Sequence, residues 1–414
     1  MAGRRLAIIG AGPIGLEAAV RGQQSGWDVT LLEQGTIGNH VAAWGHVQLF
    51  SPFGMNASAW SREALADQAL PADDALLTGR EFVGQYLQPL SQLPLLAGRI
   101  REQTNVVSIS RGEFWKSDRI GKPSRSESPF RLLVEGEQGR EEIIEADVAF
   151  DCAGTFSQHN WLGAGGIPCP GERASADRID YQIPDICGSD RDRFAGKTTL
   201  VVGSGYSAAT SVVALSRLAD DAPDTRCFWL TRTDRTPPIP VIDDDQLAGR
   251  AALTRAANEL AIPGDDAASS VQWINAATIE EIRRAPDDRL AVRIRRCVSA
   301  PRVGIEAADQ SEELIVDRII AQVGYRPNRS LYEELQIHEC YASQGPIKLA
   351  AALLGETSGD CMSQSSPGAD TLRNPEPGFF ILGAKSYGRD SRFLIRIGLE
   401  QINAAFSLLE APSP

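Results

Sequence analysis

The chain has 414 residues, 43% of them hydrophobic and 23% charged, and carries a formal net charge of −13. That length exceeds one ordinary core, so two domains are expected. The acidic balance disfavours nucleic acid and anionic membrane surfaces as partners, and no apolar run is long enough to cross a bilayer.

The opening stretch "RRLAIIGAGPIGLEAA" imitates a secretory leader only on its surface, because Gly10, Gly12, Pro13 and Glu17 interrupt the apolar run. It reads instead as a strand over Leu6 to Ile9, a glycine turn, and a helix from about Ile14 to Gln24. In such a turn Gly10 permits the tight bend, Gly12 lets backbone approach a pyrophosphate, and Gly15 lets the helix pack on the strand. The free N–H groups of the helix start then face the phosphates. The next strand, "WDVTLLEQG", ends at Glu33, whose carboxylate can accept from both hydroxyls of an adenosine ribose.

A loop rich in aromatic and small residues follows, "HVAAWGHVQLFSPFGMNASAW", and then a helical stretch around "GREFVGQYLQPLSQL". The segments "TNVVSISRGEF", "FRLLVEGEQG" and "EEIIEADVAFDCAG" read as strands joined by polar turns. The glycine and proline content of "WLGAGGIPCPGER" marks a crossing between domains.

A second strand, turn and helix begins at "KTTLVVGSGYSAATSVVALSRLA", with Gly203, Ser204, Gly205, Tyr206 and Ser207 in the turn and Ala208 in the third-glycine place. Here the following strand ends in Arg232, with Arg235 close behind. A guanidinium can pair with a 2′-phosphate that an acid would repel, so NADPH is favoured over NADH, unless these arginines are a solvated surface pair. From Thr236 to about Pro286 the acidic, alanine-rich chain suggests short helices. The segments "RLAVRIRRC" and "EELIVDRIIAQVGYRPN" read as strands, and the tail as a strand, a loop and one long amphipathic helix.

The seven cysteines are scattered, with no Cys-x-x-Cys pair, which points to a reducing cytoplasm and removes an obvious dithiol relay. No metal is expected. Asp243 to Asp245 read as a solvated acidic loop, and no His or Cys spacing suits zinc.

The first turn with Pro13, the closing "FDCAGTF", the second turn "GSGYSA", the later "AQVGYRPN" and the tail "GFFILGA" together resemble the two-dinucleotide-binding flavoprotein reductases and monooxygenases, with the flavin-containing monooxygenases as the nearest branch. The resemblance implies an α/β fold of two Rossmann-like domains: a discontinuous FAD domain over 1–165 and 326–414, an NADPH domain over 190–325 inserted in it, and a crossing at 166–189. FAD and NADPH would lie head to tail, so each needs its own pyrophosphate grip.

By the same resemblance Trp44 and Phe50 flank the flavin ring or are simply core, Ser51 bonds the ring edge, and Asn56 sits near the flavin C4a or is a turn asparagine. Pro13, Ile14, Gln34, Val107, Ala153, Gly154, Gly383 and Phe393 complete the expected flavin contacts. The tail has "GAK" where thioredoxin reductase relatives have Gly-Asp, so a ribityl-binding carboxylate is missing there. Lys385 faces the flavin pyrimidine or is an exposed salt-bridging lysine. The monooxygenase fingerprint of Phe-x-Gly and then His is incomplete, with only Phe156 and His159 in its region, and His159 and His46 stay undecided.

The implied activity is oxidation of a small molecule by O2 through a C4a-peroxyflavin. The alternatives are an NADPH-dependent FAD reductase passing electrons to a quinone or protein, and a non-catalytic flavin-binding redox sensor. The apolar C-terminal helix leaves room for a homodimer.

Overall fold

A computed structural model describes residues 3–262, 270–296, 311–355, 362 and 367–410. The chain forms two compact units, Met1–Gln158 with Tyr325–Pro414, and His159–Gly324. Unit 1 begins with β1 (Arg5–Ile9), β2 (Asp28–Leu32) and β3 (Ile100–Arg101), continues through an antiparallel meander of β4 (Asn105–Arg111), β5 (Phe130–Glu135) and β6 (Glu141–Ala146), and then lays β7 (Val148–Asp151) beside β1. Unit 2 repeats the plan. After the edge strand β8 (Ile179–Asp180) come β9 (Thr198–Val202), β10 (Arg226–Leu230) and β11 (Val271–Ile274), a meander of β12 (Ala277–Arg284), β13 (Leu290–Arg296) and β14 (Ser311–Val316), and β15 (Arg318–Ala321) beside β9. The chain then returns to unit 1, where β16 (Phe379–Ile381) pairs with β7.

Each unit thus holds one five-stranded parallel sheet, ordered β16-β7-β1-β2-β3 in unit 1 and β11-β10-β9-β15-β8 in unit 2. The helices include α1 (Pro13–Gln24), the short α2 (Asn39–Ala43) beside the site, α3 (Tyr206–Asp221), α4 (Ala248–Ala261) and α5 (Ile395–Glu410). Sheets covered on both faces need apolar residues on both sides of each strand. Alternate residues of β1 divide accordingly: Leu6 and Ile8 join the cluster under α1 and α5, while Ala7 and Ile9 pack against Phe130, Leu132 and Val134 of the meander. In unit 2, Val201 packs with α3 and Leu200 and Val202 with the meander.

Two expected strands are each divided by one aspartate. The stretch 141–151 breaks at Asp147, whose N–H donates to Arg5 O and whose carboxylate accepts from Arg5 N at 2.8 Å and from its guanidinium at 3.0 Å. Asp317 does the same between β14 and β15, giving its N–H to Thr198 O and accepting Thr198 N at 2.8 Å. The apolar runs on either side serve two different sheets. Among the described residues of 236–286, helix forms only in α4, and Val271, Ile274, Ala277, Ile279 and Ile282 are buried along β11 and β12 instead. Residues 166–189, expected as a crossing, lie inside unit 2, with β8 at its sheet edge. Buried Glu172 accepts there from Leu162 N at 2.8 Å and Cys169 N at 2.9 Å.

One buried carboxylate ties α1 to the helical segment between β2 and β3. Glu17 accepts at 2.5 Å from each of the Ser58, Ser61 and Tyr86 hydroxyls and at 3.0 Å from Ser58 N. Burial raises its pKa while these hydrogen bonds oppose the rise.

Candidate functional site

The strand order of unit 1 reverses between β1 and β7, and a crevice opens beyond their carboxyl ends, where open α/β sheets take their ligands. Gly10 has φ +94°, and a Cβ there would sit 2.9 Å from both Ala153 Cα and Cys152 O. Gly12 is the N-cap of α1 with nothing within 4 Å of an added Cβ, and Pro13 starts the helix. A Cβ on Gly15 would stand 1.8 Å from Gly10 O, so Gly15 serves helix packing behind the turn. Glu33 receives Ala11 N at 2.7 Å and Gly35 N at 2.8 Å, which holds its carboxylate at the crevice edge.

The crevice continues as a cavity within unit 1, lined by Gly10, Gly12, Pro13, Ile14, Glu33, Gln34, Trp44, Ala153, Gly154, Gly383, Lys385 and Phe393 among the residues expected from sequence. Open space before a helix start, an acid on the neighbouring strand and a wall of mixed apolar and polar side chains fit an adenine dinucleotide carrying a flavin.

Other expected contacts do not line this cavity. Val107 is 40% exposed; the pleat turns it outward and brings Val106 to the cavity wall. Phe50 is also outside the lining. Ser51 and Asn56 are buried on one another, Ser51 Oγ donating to Asn56 Oδ1 at 2.9 Å and Asn56 Nδ2 to Ser51 O at 3.0 Å. The two side chains thus bond within their own loop, outside the lining of this cavity.

Lys385 lines the cavity but is only 1% exposed, so it is not the exposed lysine of the alternative reading. Its Nζ donates to Asp151 Oδ2 at 2.5 Å and lies 5.1 Å from the centre of the Tyr332 ring. Asp151 in turn accepts Ala153 N at 3.1 Å, which orients the carboxylate from the end of β7. One carboxylate and one ring face leave donor capacity on this ammonium toward the cavity.

Sequence reasoning missed His40, Asn39, Thr104, Asn105, Asn328 and Ile395, all of which line the cavity. His40 sits on α2 directly after the Glu33 strand, which is the signal that marks it, and packs on the Phe156 ring at 5.6 Å. Burial pushes its pKa down, with Glu33 opposing. Asn39 shares α2 with His40, Asn105 opens β4, Ile395 opens α5, and Thr104 and Asn328 lie outside strands and helices.

In unit 2, Gly203 has φ +137° and a Cβ there would lie 2.2 Å from Gln322 O, while Gly205 caps α3 with open space around it. Ala208 is fully buried in the place that Gly15 takes in unit 1. Ser204 in the turn and Tyr206 and Ser207 at the start of α3 are half-buried. Arg232 is exposed just past β10 and has no hydrogen-bond or ion-pair partner among the described residues. Arg235 is also exposed and turns Nε and one Nη onto Pro238 O at 3.2 and 2.6 Å.

Five described cysteines are free thiols, and Cys297 and Cys361 lie outside the described residues. Cys152 lines the cavity, but burial holds its pKa well above the ordinary thiol value, Asp151 adds to the rise and Lys385 opposes it. Asp245 is paired with Arg250 at 2.6 Å. Among the described residues there is no group of His, Cys, Asp and Glu that could hold a metal, and no helix long and apolar enough to cross a membrane.

Residues 7–114 match the family described as pyridine nucleotide-disulphide oxidoreductase. No curated protein matches the sequence. Similar solved structures include the bacillithiol disulfide reductase Bdr (YpdA) from Bacillus cereus, at 16% identity and TM-score 0.66 over 98% of each chain. The T. acidophilum thioredoxin reductase is similar at 15% identity and TM-score 0.61, over 99% of this chain and 100% of its own. The cadaverine monooxygenase DfoA from Erwinia amylovora, solved with FAD bound, is similar at 13% identity and TM-score 0.68, over 98% of this chain and 94% of its own.

Proposed function

We propose that this chain, which has the α/β fold of the two-dinucleotide-binding flavoprotein oxidoreductases, is an oxidoreductase that holds FAD in unit 1 and takes hydride from NADPH bound to unit 2. The observation that carries this reading is the unit 1 cavity, in which the Gly10–Gly12 turn, Glu33, Lys385 and the tail residue Phe393 line one continuous space. FAD would supply hydride acceptance at its N5 and onward transfer to the second substrate. The chain's own part is grip and orientation. The α1 start binds pyrophosphate, Glu33 takes the ribose, and Lys385 holds positive charge beside the space where the flavin belongs.

A monooxygenase acting on a small molecule with O2 is the finer reading we favour over a disulfide reductase. Thiol–disulfide exchange needs an accessible thiolate. Cys152, the one described cysteine of the cavity wall, is a buried thiol with a raised pKa and no described cysteine partner. A reductase passing electrons to a quinone is the second reading, since it needs no thiol either.

The test begins with the purified protein, which is expected to be yellow or to take up FAD, and to bleach on anaerobic NADPH. Mixing the reduced protein with oxygen then separates the finer readings. A delayed, two-phase return of the oxidised flavin spectrum supports oxygenation, and a single fast return with stoichiometric hydrogen peroxide supports a reductase. A colourless protein that refuses FAD would sink the proposal.

A further inference from the structure

At the carboxyl edge of the unit 2 sheet, three neighbouring parallel strands end side by side: β9 is followed by Gly203, β15 by Gln322 to Gly324, and β8 by Tyr181. The strand order reverses between β9 and β15, which makes this edge the ligand crevice of the unit. The adenosine half of a dinucleotide goes to the β10 side of the turn, where Arg232 stands. The nicotinamide half goes to the β15 and β8 side.

That second side carries a built cluster. His159 stacks on the Tyr181 ring at 3.5 Å and an interplanar angle of 16°, and meets Trp161 edge-on at 4.7 Å. Tyr181 is anchored through its hydroxyl to buried Glu172 at 2.6 Å. The neighbouring Asn160 clasps the end of β15, giving its N–H to Gly324 O at 2.9 Å and Nδ2 to Val323 O at 3.1 Å. Gln322, whose carbonyl backs Gly203, donates its side chain to Gln182 O at 2.8 Å. The cluster is therefore fixed to the same edge as the glycine turn.

His159 Nδ1 lies 2.9 Å from Asn160 O, a carbonyl that can only accept, so the proton is on Nδ1. Nε2 is left as an acceptor with no protein partner among the described residues. A ring held by a stack and a backbone bond, presenting one lone pair, suits a planar ligand with an amide N–H2. We propose that His159 is the nicotinamide subsite of unit 2, its Nε2 accepting from the carboxamide of the cofactor. This rests on the reading of unit 2 as the NADPH-binding unit.

Calorimetric titration of the full-length protein with NADP+, NAD+ and adenosine 2′,5′-bisphosphate tests it. His159→Ala, and His159→Phe, which keeps the stack but lacks the acceptor, are both expected to weaken NADP+ and NAD+ by the same factor. One hydrogen bond corresponds to roughly three- to tenfold. Both variants should leave adenosine 2′,5′-bisphosphate unchanged, and His159→Gln should recover part of the loss. Unchanged NADP+ affinity in His159→Phe, or a parallel loss of the bisphosphate, overturns the assignment. A wild-type protein that binds none of the three overturns the NADPH reading, and the subsite with it.

Discussion

Lys385 and Asp151 form an ion pair that is almost wholly excluded from solvent, 2.5 Å from Nζ to Oδ2, in the wall of the unit 1 cavity. The two residues are far apart in the chain, and the pair ties the tail to β7. Breaking it alone leaves one buried charge, so Lys385→Met is expected to cost about 3 to 5 kcal/mol in urea unfolding, with much of this recovered in Lys385→Met/Asp151→Asn. In whichever variant folds and keeps FAD, the flavin midpoint potential should fall, because a cation at the cavity favours the reduced, more negative flavin. An unchanged potential would place Lys385 in fold stability alone.

Two glycines of the first turn, Gly12 and Gly15, should separate by role. Gly12→Ala meets open space and is expected to leave the melting temperature near wild type while reducing FAD uptake, read as the ratio of flavin to protein absorbance. Gly15→Ala drives a Cβ against Gly10 O and is expected to destabilise by about 3 kcal/mol or more with or without FAD. Equal behaviour of the two would contradict the assignment of phosphate approach to Gly12.

Arg232→Ala should raise the Michaelis constant for NADPH by roughly ten- to a hundredfold, the size of a lost charge-assisted hydrogen bond, and change that for NADH little. Arg235→Ala should affect neither strongly, because its guanidinium is already committed to Pro238 O. Steady-state kinetics with both nucleotides decides this.

Burial lowers the His40 pKa in the folded chain, so the unfolded chain binds the extra proton first. The stability attributable to neutral His40 is therefore present above the unfolded value of about 6.5 and is lost as pH falls toward the folded value. Wild type should lose more melting temperature than His40→Gln between about pH 7.5 and pH 5.5. Parallel curves for the two proteins would argue against a neutral, buried imidazole.

Much of the proposed nucleotide grip was legible because it is local. Gly10, Gly12, Gly15 and Glu33 lie on one strand, turn, helix and strand, and Gly203 and Gly205 repeat the spacing, so backbone sterics and helix polarity set their roles within a few tens of residues. What the sequence hid depends on contacts between distant segments. The strand geometry at the irregular 106–108 step puts Val106 and not Val107 on the cavity wall, and Ser51 and Asn56 bond to one another outside its lining.

The sequence by itself determined the two glycine turns, the acid on one following strand and the arginine on the other. Only tertiary structure decided that Asp147 and Asp317 divide apparent strands, that Lys385 is buried against Asp151, and that His159 lies on Tyr181. The reason is physical. A turn is specified by the dihedral freedom and hydrogen bonding of its own residues, whereas the charge state and availability of a side chain depend on which distant groups desolvate and pair with it.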